Sequence, residues 1–299
     1  MTSSPLPRIS LVTPSLDQGK FLRETIESVL SQQYPSLEYF VQDGGSTDES
    51  LAVLREYEGR IPFVSEKDRG QADAINRGLS RTTGEILGYL NSDDLLLPGA
   101  LRAVGEAFAS DPELVLVYGR ALSIDAEGRP LGRCLTKEWE PGRLGDFCFV
   151  TQPAAFWRRR VSSELGPFDE SLHHTMDYDF WLRLADRYPA TAVRYLERDL
   201  AAARWHAGAK TVAGWDRALE EIFALVSRRR GYVSLWWLVA KWDHLLDGRS
   251  QVTDPHPVPW RAYFPALYEY IRRNRAKVWL RGLRGSPRGI FKRLRASVR

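Results

Sequence analysis

The first part of the chain alternates between short apolar runs and longer amphipathic stretches. Five apolar runs are predicted to be buried strands, and they lie at residues 8–13, 37–42, 61–65, 85–90 and 114–118. Between these runs, apolar residues recur at helical spacing, as Leu22, Ile26 and Val29 do after the first one. Strand and helix therefore alternate, which predicts an α/β protein with a mainly parallel central sheet flanked by helices.

Charged residues follow three of the predicted strands. Asp43 comes after the second strand, Asp68 and Arg69 come after the third, and Asp93 and Asp94 come after the fourth. The carboxyl ends of parallel strands lie at one edge of a sheet, and α/β proteins bind their ligands at that edge. We therefore expect these five charged groups to lie close together.

The pair Asp93 and Asp94 closely follows an apolar run that ends at Leu90. Neighbouring carboxylates repel each other, and they persist where a hard cation lies between them and another anion. A diphosphate with a divalent metal meets that requirement. The alternative is a turn that ends the strand before Pro98 opens the next helix. The chain has no Gly-x-Gly-x-x-Gly turn after its first strand and no Walker-type Gly-Lys-Ser/Thr sequence, so neither motif explains the carboxylates.

Turn-forming residues mark three further features. Ser46 and Glu49 are three residues apart and predict a capping box at the start of the helix after the second strand. Residues 119–130 are predicted to form a hairpin around residues 125–128, because Asp125-Ala126-Glu127-Gly128 is rich in turn formers. The stretch at 132–148 is predicted to be a loop.

A later helix is predicted to begin near Met176, with Phe180 and Leu184 on its inward face. Asp177 lies in its first turn and has two interpretations. It is either an N-cap, a position that favours Asp, or a general base at the mouth of the ligand crevice. Four large aromatic residues are candidates either for the core or for apolar walls of the crevice, and they are Trp139, Phe156, Trp157 and Trp181.

The composition favours a cytoplasmic protein. The chain of 299 residues has two cysteines, Cys134 and Cys148, and its N-terminus does not have the pattern of a signal peptide. The longest apolar run, at residues 233–240, is shorter than the roughly 20 residues that span a bilayer. We therefore expect a protein that does not cross the membrane.

The net charge of +4 hides an uneven distribution. Residues 271–299 carry 11 Lys or Arg and no Asp or Glu, so the rest of the chain has 31 basic and 38 acidic residues and a formal charge of −7. Apolar residues such as Trp279, Leu283 and Phe291 are interleaved with the basic ones. This pattern predicts peripheral binding to an anionic membrane surface, on the inner face of the cytoplasmic membrane, and no nucleic acid partner. A solvated basic tail is the alternative.

Several short motifs occur in the order found in family 2 glycosyltransferases. They lie at residues 13–16 (TPSL), 25–35 (TIESVLSQQYP), 43–48 (DGGSTD), 70–78 (GQADAINRG), 91–94 (NSDD), 152–157 (QPAAFW), 166–170 (GPFDE) and 177–184 (DYDFWLRL). Each motif alone is weak, but coincidence does not explain the whole set in register. The chain resembles this family over about residues 7–210.

The resemblance implies a GT-A fold and an inverting enzyme of bacterial glycan assembly. Such an enzyme uses Mn²⁺ or Mg²⁺ and a nucleotide-diphosphate sugar donor, and its acceptor is a glycan or a polyprenyl-linked sugar in surface polysaccharide synthesis. Residues 1–210 would form the catalytic domain, with a nucleotide-sugar half at about 7–118 and an acceptor half at about 119–210. Residues 211–299 would form a helical C-terminal extension that ends in the basic tail.

The resemblance also implies roles for residues of the donor site. Asp43 would contact the base of the nucleotide, and Arg69 and Asp73 would lie near the base and the ribose. Asp93 would reach the ribose or the metal. The other expected donor-binding residues are Thr13, Pro14 and Ser15, as the wall beside the base, and Asn91.

For the metal, the resemblance implies that Asp94 is the main protein ligand. His206 would complete the metal shell or donate to phosphate, and Arg204 or Lys210 would provide positive charge. Carboxylate oxygens suit Mn²⁺ and Mg²⁺ better than zinc.

For catalysis, the resemblance implies that Asp177 is the general base. In an inverting transfer the acceptor hydroxyl loses its proton on the face opposite the leaving diphosphate, so the base stands across the sugar from the metal. Asp177 lies on a different segment from Asp94, as this geometry requires. Met176 departs from the family pattern, in which an acidic residue often precedes the base, and this departure removes a helper while it keeps the base itself.

Two other functions are compatible with paired acids on an α/β sheet. A nucleotidyltransferase would also bind a metal, but it needs a Gly-rich, basic first loop, and residues 14–20 contain one Gly and one Lys. A non-catalytic sugar-nucleotide-binding subunit is the second alternative, and the presence of all the expected acids argues against it.

Overall fold

The computed structural model describes residues 5–247 and 260–274 of the protein. Within these residues the strands are β1 (Ile9–Ser15), β2 (Leu37–Asp43), β3 (Phe63–Ser65), β4 (Ile86–Tyr89), β5 (Leu95–Leu96), β6 (Leu116–Ile124), β7 (Pro130–Arg133), β8 (Ala155–Arg158) and β9 (Val193–Arg204). The α-helices are α1 (Gly19–Leu30), α2 (Ser50–Arg55), α3 (Gln71–Ser80), α4 (Ala100–Ser110), α5 (Arg159–Leu165), α6 (Met176–Arg187), α7 (Lys210–Ala213), α8 (Trp215–Arg230), α9 (Leu235–Asp247) and α10 (Trp260–Arg273). The predicted basic tail lies outside the described residues from position 275 onward.

The strands form one sheet in the order β3–β2–β1–β4–β8–β6–β9–β5, and β7 pairs with β6. β1 to β4 run parallel, as predicted, and β6 runs parallel to β9. β8 is antiparallel to both β4 and β6 and so joins the two parallel groups. The α/β class and the flanking helices are confirmed, and the complete sheet is mixed.

All five predicted strands are present. The fifth is longer than predicted, because β6 continues to Ile124 and enters the predicted hairpin. At the turn of that hairpin the Asp125 amide donates to the Arg129 carbonyl oxygen at 2.9 Å. The predicted capping box is wrong: α2 begins at Ser50, and the Ser46 hydroxyl donates instead to the Asp43 carboxylate.

The core forms where β1 is covered by neighbouring elements. All seven residues of β1 are buried, as expected for a central strand whose two faces are both covered. Leu22, Ile26 and Val29 of α1 are fully buried in the same apolar cluster as Ile9 and Leu11. Each fully buried Leu or Ile stabilises the fold by about 1.5–3 kcal/mol.

An aromatic cluster fixes α6 against β8. Trp157, Phe168, Phe180 and Trp181 pack with ring centroids 4.8 to 6.0 Å apart. Trp157 and Trp181 are fully buried, and Phe156 is 1% exposed. The interpretation of these three as core residues is confirmed, and the cluster holds the first turn of α6 in place.

Two consecutive arginines close the ends of two helices. Arg158 donates from Nη2 to the Phe108 carbonyl oxygen of α4 at 3.0 Å and from Nε to the Leu114 carbonyl oxygen at 2.7 Å. Arg159 donates from Nη1 to the Leu79 carbonyl oxygen of α3 at 3.4 Å. The last carbonyls of a helix lack partners within it, so these side chains satisfy groups that burial would otherwise leave unpaired. Burial lowers the pKa of Arg158.

The chain forms two compact units. The first runs to Pro141 and resumes from Cys148 to Gly214, and it contains the whole sheet. The second contains residues 142–147 and the described residues from Trp215 onward.

In the second unit, α9 and α10 are joined through one buried carboxylate. Glu269 accepts hydrogen bonds from Lys241 Nζ at 3.0 Å, from Trp242 Nε1 at 2.9 Å and from Arg273 Nε at 2.8 Å. These bonds satisfy both oxygens of a carboxylate that would otherwise be costly to bury.

Among the helices of the described residues, none has the length and apolar character of a membrane span.

Replacement of Gly88 tests the packing of β4 against β8. In Gly88→Ala the new methyl group would lie 2.7 Å from Phe156 Cδ1 and 3.2 Å from Leu11 Cδ1, so the core has to shift. We expect a loss of about 1–3 kcal/mol in the free energy of unfolding, measured by denaturant titration. Gly142→Ala, where no atom lies within 4 Å of the new methyl group, is the control and should unfold like the wild type. If Gly88→Ala matched that control, the close contact with Phe156 would be refuted.

Candidate active site

Asp43 lies at the end of β2 and shapes the loop that follows it. The side chain is fully buried, and Oδ2 accepts hydrogen bonds from the Gly45 amide at 3.1 Å, the Ser46 amide at 3.0 Å and Ser65 Oγ at 2.6 Å. Ser46 Oγ donates to Oδ1. Both oxygens are thus engaged by nearby loop and strand groups, and the contact of Asp43 with a nucleotide base stays a prediction.

The end of β1 lies beside Asp43. In the parallel pairing of β1 with β2, Ser15 is in register with Asp43 and Pro14 with Gln42. Thr13 Oγ1 lies 3.0 Å from a tyrosine hydroxyl on β2, so its polar group is satisfied within the protein. Ser15 Oγ is buried and has no hydrogen-bond partner in the described part of the chain. Among the described residues, this edge therefore holds two buried polar atoms without a hydrogen-bond partner, Ser15 Oγ and the neighbouring Gln42 Oε1.

Asp73, in the first turn of α3, is surrounded by arginines. It accepts hydrogen bonds from Arg69 Nη2 at 2.9 Å and from Arg77 Nε at 3.0 Å. Arg69 also pairs with Glu170, 2.6 Å away, and its side chain is 70% exposed. The hydrogen bonds from Arg69, supported by those from Arg77, hold the pKa of the Asp73 carboxyl well below its usual range. Asp73 is therefore neutralised within the protein, while the exposed Arg69 lies beside it at the site.

Asp93 and Asp94 form the turn between β4 and β5, which is called here the acidic turn. Asp93 Oδ2 lies 3.1 Å from His206 Nε2, and the His206 ring packs against Phe21 with centroids 4.6 Å apart. His206 follows the end of β9, 113 residues further along the chain. The structure thus places His206 against Asp93, the chain neighbour of Asp94, and these are the three residues for which the resemblance implied contact with the metal.

Asp94 is buried, and its two oxygens accept from amides. Oδ1 accepts from the Arg204 backbone amide at 2.9 Å, and Oδ2 accepts from Asn91 Nδ2 at 3.1 Å. Burial raises the pKa of Asp94 well above its ordinary value, and the charge of Asp93 raises it further. Asn91 in turn accepts from Gln71 Nε2 at 2.7 Å and contacts Gln152 Oε1 at 3.3 Å.

Arg204 and Lys210 differ from each other in their surroundings. The Arg204 guanidinium is buried and is used in hydrogen bonds to the Asp93 carbonyl oxygen at 2.8 Å and to Glu24 at 2.5 Å. The expectation that it offers its charge to phosphate is not met by this arrangement. Lys210 is exposed, and its Nζ lies 3.0 Å from Gln71 Oε1, close to the chain of amides that leads to Asp94.

Asp177 is the second residue of α6. The N-cap position of this helix is Thr175, so the interpretation of Asp177 itself as the N-cap is wrong. The half-buried Asp177 carboxylate accepts from the Tyr178 amide at 2.8 Å. Burial raises the pKa of Tyr89 well above its ordinary value, and the charges of Asp177 and then Asp94 add to this effect. Both carboxylates therefore lie within electrostatic range of one buried phenol.

The donor atoms of the acidic turn fit a divalent cation. Burial and the charge of Asp93 make the ionised form of Asp94 costly. A positive charge between the two carboxylates would stabilise that form. Mg²⁺ sites commonly combine one or two carboxylates with substrate phosphates and water, and the acidic turn can supply those carboxylates. In residues 5–247 and 260–274, no three His, Cys, Asp or Glu side chains already surround one metal position.

The sequence interpretation missed three residues of this site. Gln71 and Gln152 hold Asn91 through their side-chain amides, and Gln152 Nε2 also donates to the Tyr89 carbonyl oxygen at 2.6 Å. Both glutamines lie inside motifs that carry the resemblance to family 2 glycosyltransferases. This position is the sequence signal that could have identified them as site residues. Tyr89 lies in an apolar run, where nothing in the sequence distinguishes it from other core residues.

Comparisons with known proteins bear on the family and the fold of this chain. Residues 10–164 match the family model described as Glycosyl transferase family 2. The chain is 32% identical over 269 residues to the O-antigen biosynthesis protein RfbC of Myxococcus xanthus, an alignment that covers 87% of this chain and 20% of that protein. It is 28% identical over 187 residues to the chondroitin synthase of Escherichia coli, covering 62% of this chain and 27% of the synthase. The chain thus spans about a fifth to about a quarter of the length of these relatives.

Solved structures share the fold. S. aureus TarS, residues 1–349 in complex with UDP-GlcNAc, aligns with a TM-score of 0.61 and 16% identity, covering 89% of this chain and 81% of that one. The mannosyltransferase PcManGT of Pyrobaculum calidifontis, in complex with GDP-Man and Mn²⁺, aligns with a TM-score of 0.54 and 17% identity, covering 99% and 81%. The fold is GT-A, as the sequence resemblance implied.

Replacement of Asp73 tests its pairing with Arg69 and Arg77. The depressed pKa means that the fold favours the ionised form, so this stabilisation is present above the unfolded-state pKa of about 3.9 and is lost as the pH falls toward the lower folded-state pKa. We expect Asp73→Asn to lose about 1–3 kcal/mol in the free energy of unfolding at pH 7, and the gap to the wild type to narrow from about pH 4 downward. The measurement is denaturant unfolding of both proteins between pH 7 and 3.

The control for this experiment is Glu58→Gln, which changes an exposed carboxylate in the turn after α2. It should stay within about 0.5 kcal/mol of the wild type. A gap between Asp73→Asn and the wild type that did not depend on pH would contradict the assignment.

Proposed function

This chain belongs to glycosyl transferase family 2, and from that premise we propose that it transfers a sugar with inversion from a nucleotide-diphosphate donor to an acceptor hydroxyl. The observation that carries the proposal is the geometry of the acidic turn, where Asp93 Oδ2 lies 3.1 Å from His206 Nε2 and the buried Asp94 carboxylate accepts hydrogen bonds from the Arg204 and Asn91 amides. Asp177 lies on a separate segment, in the first turn of α6, and an inverting transfer needs such a base across the sugar from the cation that holds the diphosphate.

We assign the donor to the edge formed by the ends of β1, β2 and β4. Thr13, Pro14 and Ser15 form the wall beside the nucleotide base, with Asp43 next to Ser15. The buried Ser15 hydroxyl, which has no partner in the described residues, supports a ligand at this point. Arg69 with Asp73, and Asn91 with Asp93, would lie along the ribose and the diphosphate. UDP-GlcNAc in TarS and GDP-Man in PcManGT support this class of donor.

We assign Mn²⁺ or Mg²⁺ to the acidic turn, with Asp94 as the main protein ligand and Asp93 and His206 beside it. The presence of Mn²⁺ in the PcManGT complex supports this assignment. When bound, such a cation supplies Lewis-acid neutralisation of the charge that gathers on the departing diphosphate. The protein contributes a turn held by amide donors from Asn91 and Arg204, so that the carboxylates are already in place.

We assign the general base to Asp177. In this role Asp177 accepts the proton of the acceptor hydroxyl as that hydroxyl attacks the anomeric carbon. Its position in the first turn of α6, held by the aromatic cluster, supports a fixed orientation for this step. Met176, which stands where many family members have an acid, is buried and takes no part in proton transfer.

The acceptor is proposed to be a glycan or a polyprenyl-linked sugar in surface polysaccharide synthesis. The names of the two relatives, an O-antigen biosynthesis protein and a chondroitin synthase, support this proposal. We assign the donor to a half at about residues 7–118 and the acceptor to a half at about 119–210. Membership of a glycosyltransferase family disfavours the nucleotidyltransferase and the non-catalytic subunit.

We further propose that the C-terminal part binds an anionic membrane surface from the cytoplasmic side. Residues 275–299 contain nine Lys or Arg and no Asp or Glu. On α10, which precedes them, Phe264, Tyr268 and Ile271 are 67%, 70% and 46% exposed, and their spacing places them on one face of the helix. An apolar helix face next to a basic segment is typical of peripheral membrane binding.

Two substitutions test the catalytic assignment. The measurement is release of nucleoside diphosphate from a panel of UDP, GDP and dTDP sugars with Mn²⁺ and a glycan acceptor. We expect Asp177→Asn to release it about 100- to 10,000-fold more slowly while it still binds the donor, because the acceptor proton has no base. Asp94→Asn should lose both release and the thermal stabilisation that donor with Mn²⁺ gives to the wild type.

Asp186→Asn, on the same helix as Asp177, is the matched control and should release the diphosphate at the wild-type rate. Wild-type rates in Asp177→Asn would remove the assignment of the base. No release by the wild type from any donor would remove the proposed reaction.

Deletion of residues 275–299 tests the membrane proposal. The deletion removes nine basic residues. At physiological salt, the affinity of the truncated protein for phosphatidylserine-containing vesicles, measured by co-sedimentation, should therefore be lower by about tenfold or more. Neutral phosphatidylcholine vesicles are the control, and neither protein should bind them well. Equal sedimentation of the two proteins with anionic vesicles would end this proposal.

A further inference from the structure

Arg204, the last residue of β9, is a buried cation that donates hydrogen bonds from all three of its side-chain nitrogens. The residue is 4% exposed. Its Nε donates to the Asp93 carbonyl oxygen at 2.8 Å, its Nη1 donates to the Ala126 carbonyl oxygen at 3.0 Å, and its Nη2 donates to Glu24 Oε2 at 2.5 Å. The guanidinium carbon also lies 4.9 Å from the ring centre of Phe21. Three separate elements, the acidic turn, the β6–β7 turn and α1, therefore meet at this one side chain of β9.

The same residue holds both acids of the acidic turn. While the Arg204 side chain binds the main chain of Asp93, its backbone amide donates to Asp94 Oδ1 at 2.9 Å. Two positions further on, His206 lies against the Asp93 carboxylate and packs on the Phe21 ring. The same ring lies under the Arg204 guanidinium. The orientation of the two carboxylates is thus set from β9 and α1, not from the turn alone.

We propose that Arg204 is a positioning residue that holds the acidic turn in the geometry that binds the divalent cation. The inference rests on the proposed function, because it concerns the same cation. It assigns Arg204 no contact with substrate or metal. Its role is indirect, through the Asp93 main chain and the Asp94 carboxylate.

A guanidinium is required for this role. Its planar fork directs several donors at once, whereas a lysine ammonium is a single point charge on a flexible stem. In Arg204 the fork spans the acidic turn on one side and the β6–β7 hairpin turn at Ala126 on the other, with Glu24 of α1 as the anionic partner. The acidic turn is thereby tied to a hairpin in the half of the chain that we assign to the acceptor.

The chain offers a matched control in Arg158. This residue is also buried, donates to several main-chain carbonyl oxygens, pairs with one carboxylate, Glu85, and lies over a phenylalanine ring, Phe108, at 5.2 Å. It acts on the end of α4 and has no hydrogen bond to the acidic turn in the described structure. Arg158→Lys therefore reproduces the loss of a buried guanidinium without the proposed effect on the cation site.

The experiment compares the affinity of Mn²⁺ for three forms of the 299-residue chain, the wild type, Arg204→Lys and Arg158→Lys. The measurement is the decrease of the free Mn²⁺ signal in electron paramagnetic resonance. Outer residues that orient metal ligands typically change affinity by 10- to 100-fold, so we expect Arg204→Lys to bind Mn²⁺ about tenfold or more weakly than the wild type. Arg158→Lys should lose thermal stability but bind Mn²⁺ with wild-type affinity. Equal affinities in Arg204→Lys and the wild type, or equal losses in both lysine variants, would overturn the inference.

Glu24→Gln keeps the inference testable if Arg204→Lys does not fold. The Glu24 side chain is 61% exposed, so its replacement leaves the core intact and weakens only the anchor of the guanidinium. We expect Mn²⁺ affinity about two- to fivefold lower, since an exposed ion pair is weak, and unchanged affinity would count against the role of Arg204. If the wild type itself binds no Mn²⁺, the cation assignment in the proposed function fails. If the wild type binds Mn²⁺ and the variants bind it with the same affinity, only the role inferred for Arg204 fails.

Discussion

The candidate site depends on a buried carboxylate whose direct hydrogen-bond donors are neutral amides. Asp94 accepts from the amide groups of Asn91 and Arg204, and burial together with the charge of Asp93 makes its ionised form costly. A fold maintains such a pair only where other contacts hold it in place. Here those contacts reach from β4 to β9 and α1, so the geometry of the turn is a property of the whole sheet.

Asp73 shows the opposite arrangement at the same edge. It is as deeply buried as Asp94, but Arg69 and Arg77 lie against it and lower its pKa. In α6, Asp179 is likewise buried and paired with Arg183 at 2.8 Å. The protein thus neutralises some of its buried acids internally and gives others only amide partners. This difference in surroundings separates acids that stabilise the fold from acids suited to an external cation.

The mixed sheet brings these groups together. β8 lies antiparallel between β4 and β6 and joins the first parallel group of strands to the second. The segment before β8 contributes Gln152 to the acidic turn, and the end of β9 contributes Arg204 and His206 from more than 100 residues away. A purely parallel sheet built from the first five predicted strands would not contain any of these three residues.

The sequence by itself determined the elements and the residue types of the site. Periodicity located β1 to β4 and the helices between them, because a strand buried on both faces leaves a continuous apolar run. Chain order located the acids at strand ends, and the shared motifs identified the family. These features are local, since each depends on residues within one strand or helix and its adjoining turn.

Only the tertiary structure decided which of the acids are paired and how β8 and β9 complete the sheet. Nothing near Ser46 in the chain distinguishes a helix cap from a donor to Asp43, and nothing near Arg204 distinguishes a phosphate ligand from a buried clamp. Tyr89 looks like any core residue in the sequence, and only the structure shows that the charges of Asp177 and Asp94 help to raise its pKa. In each case the deciding partner is a through-space neighbour, and burial sets how strongly that neighbour acts. Short-range sequence patterns encode neither quantity.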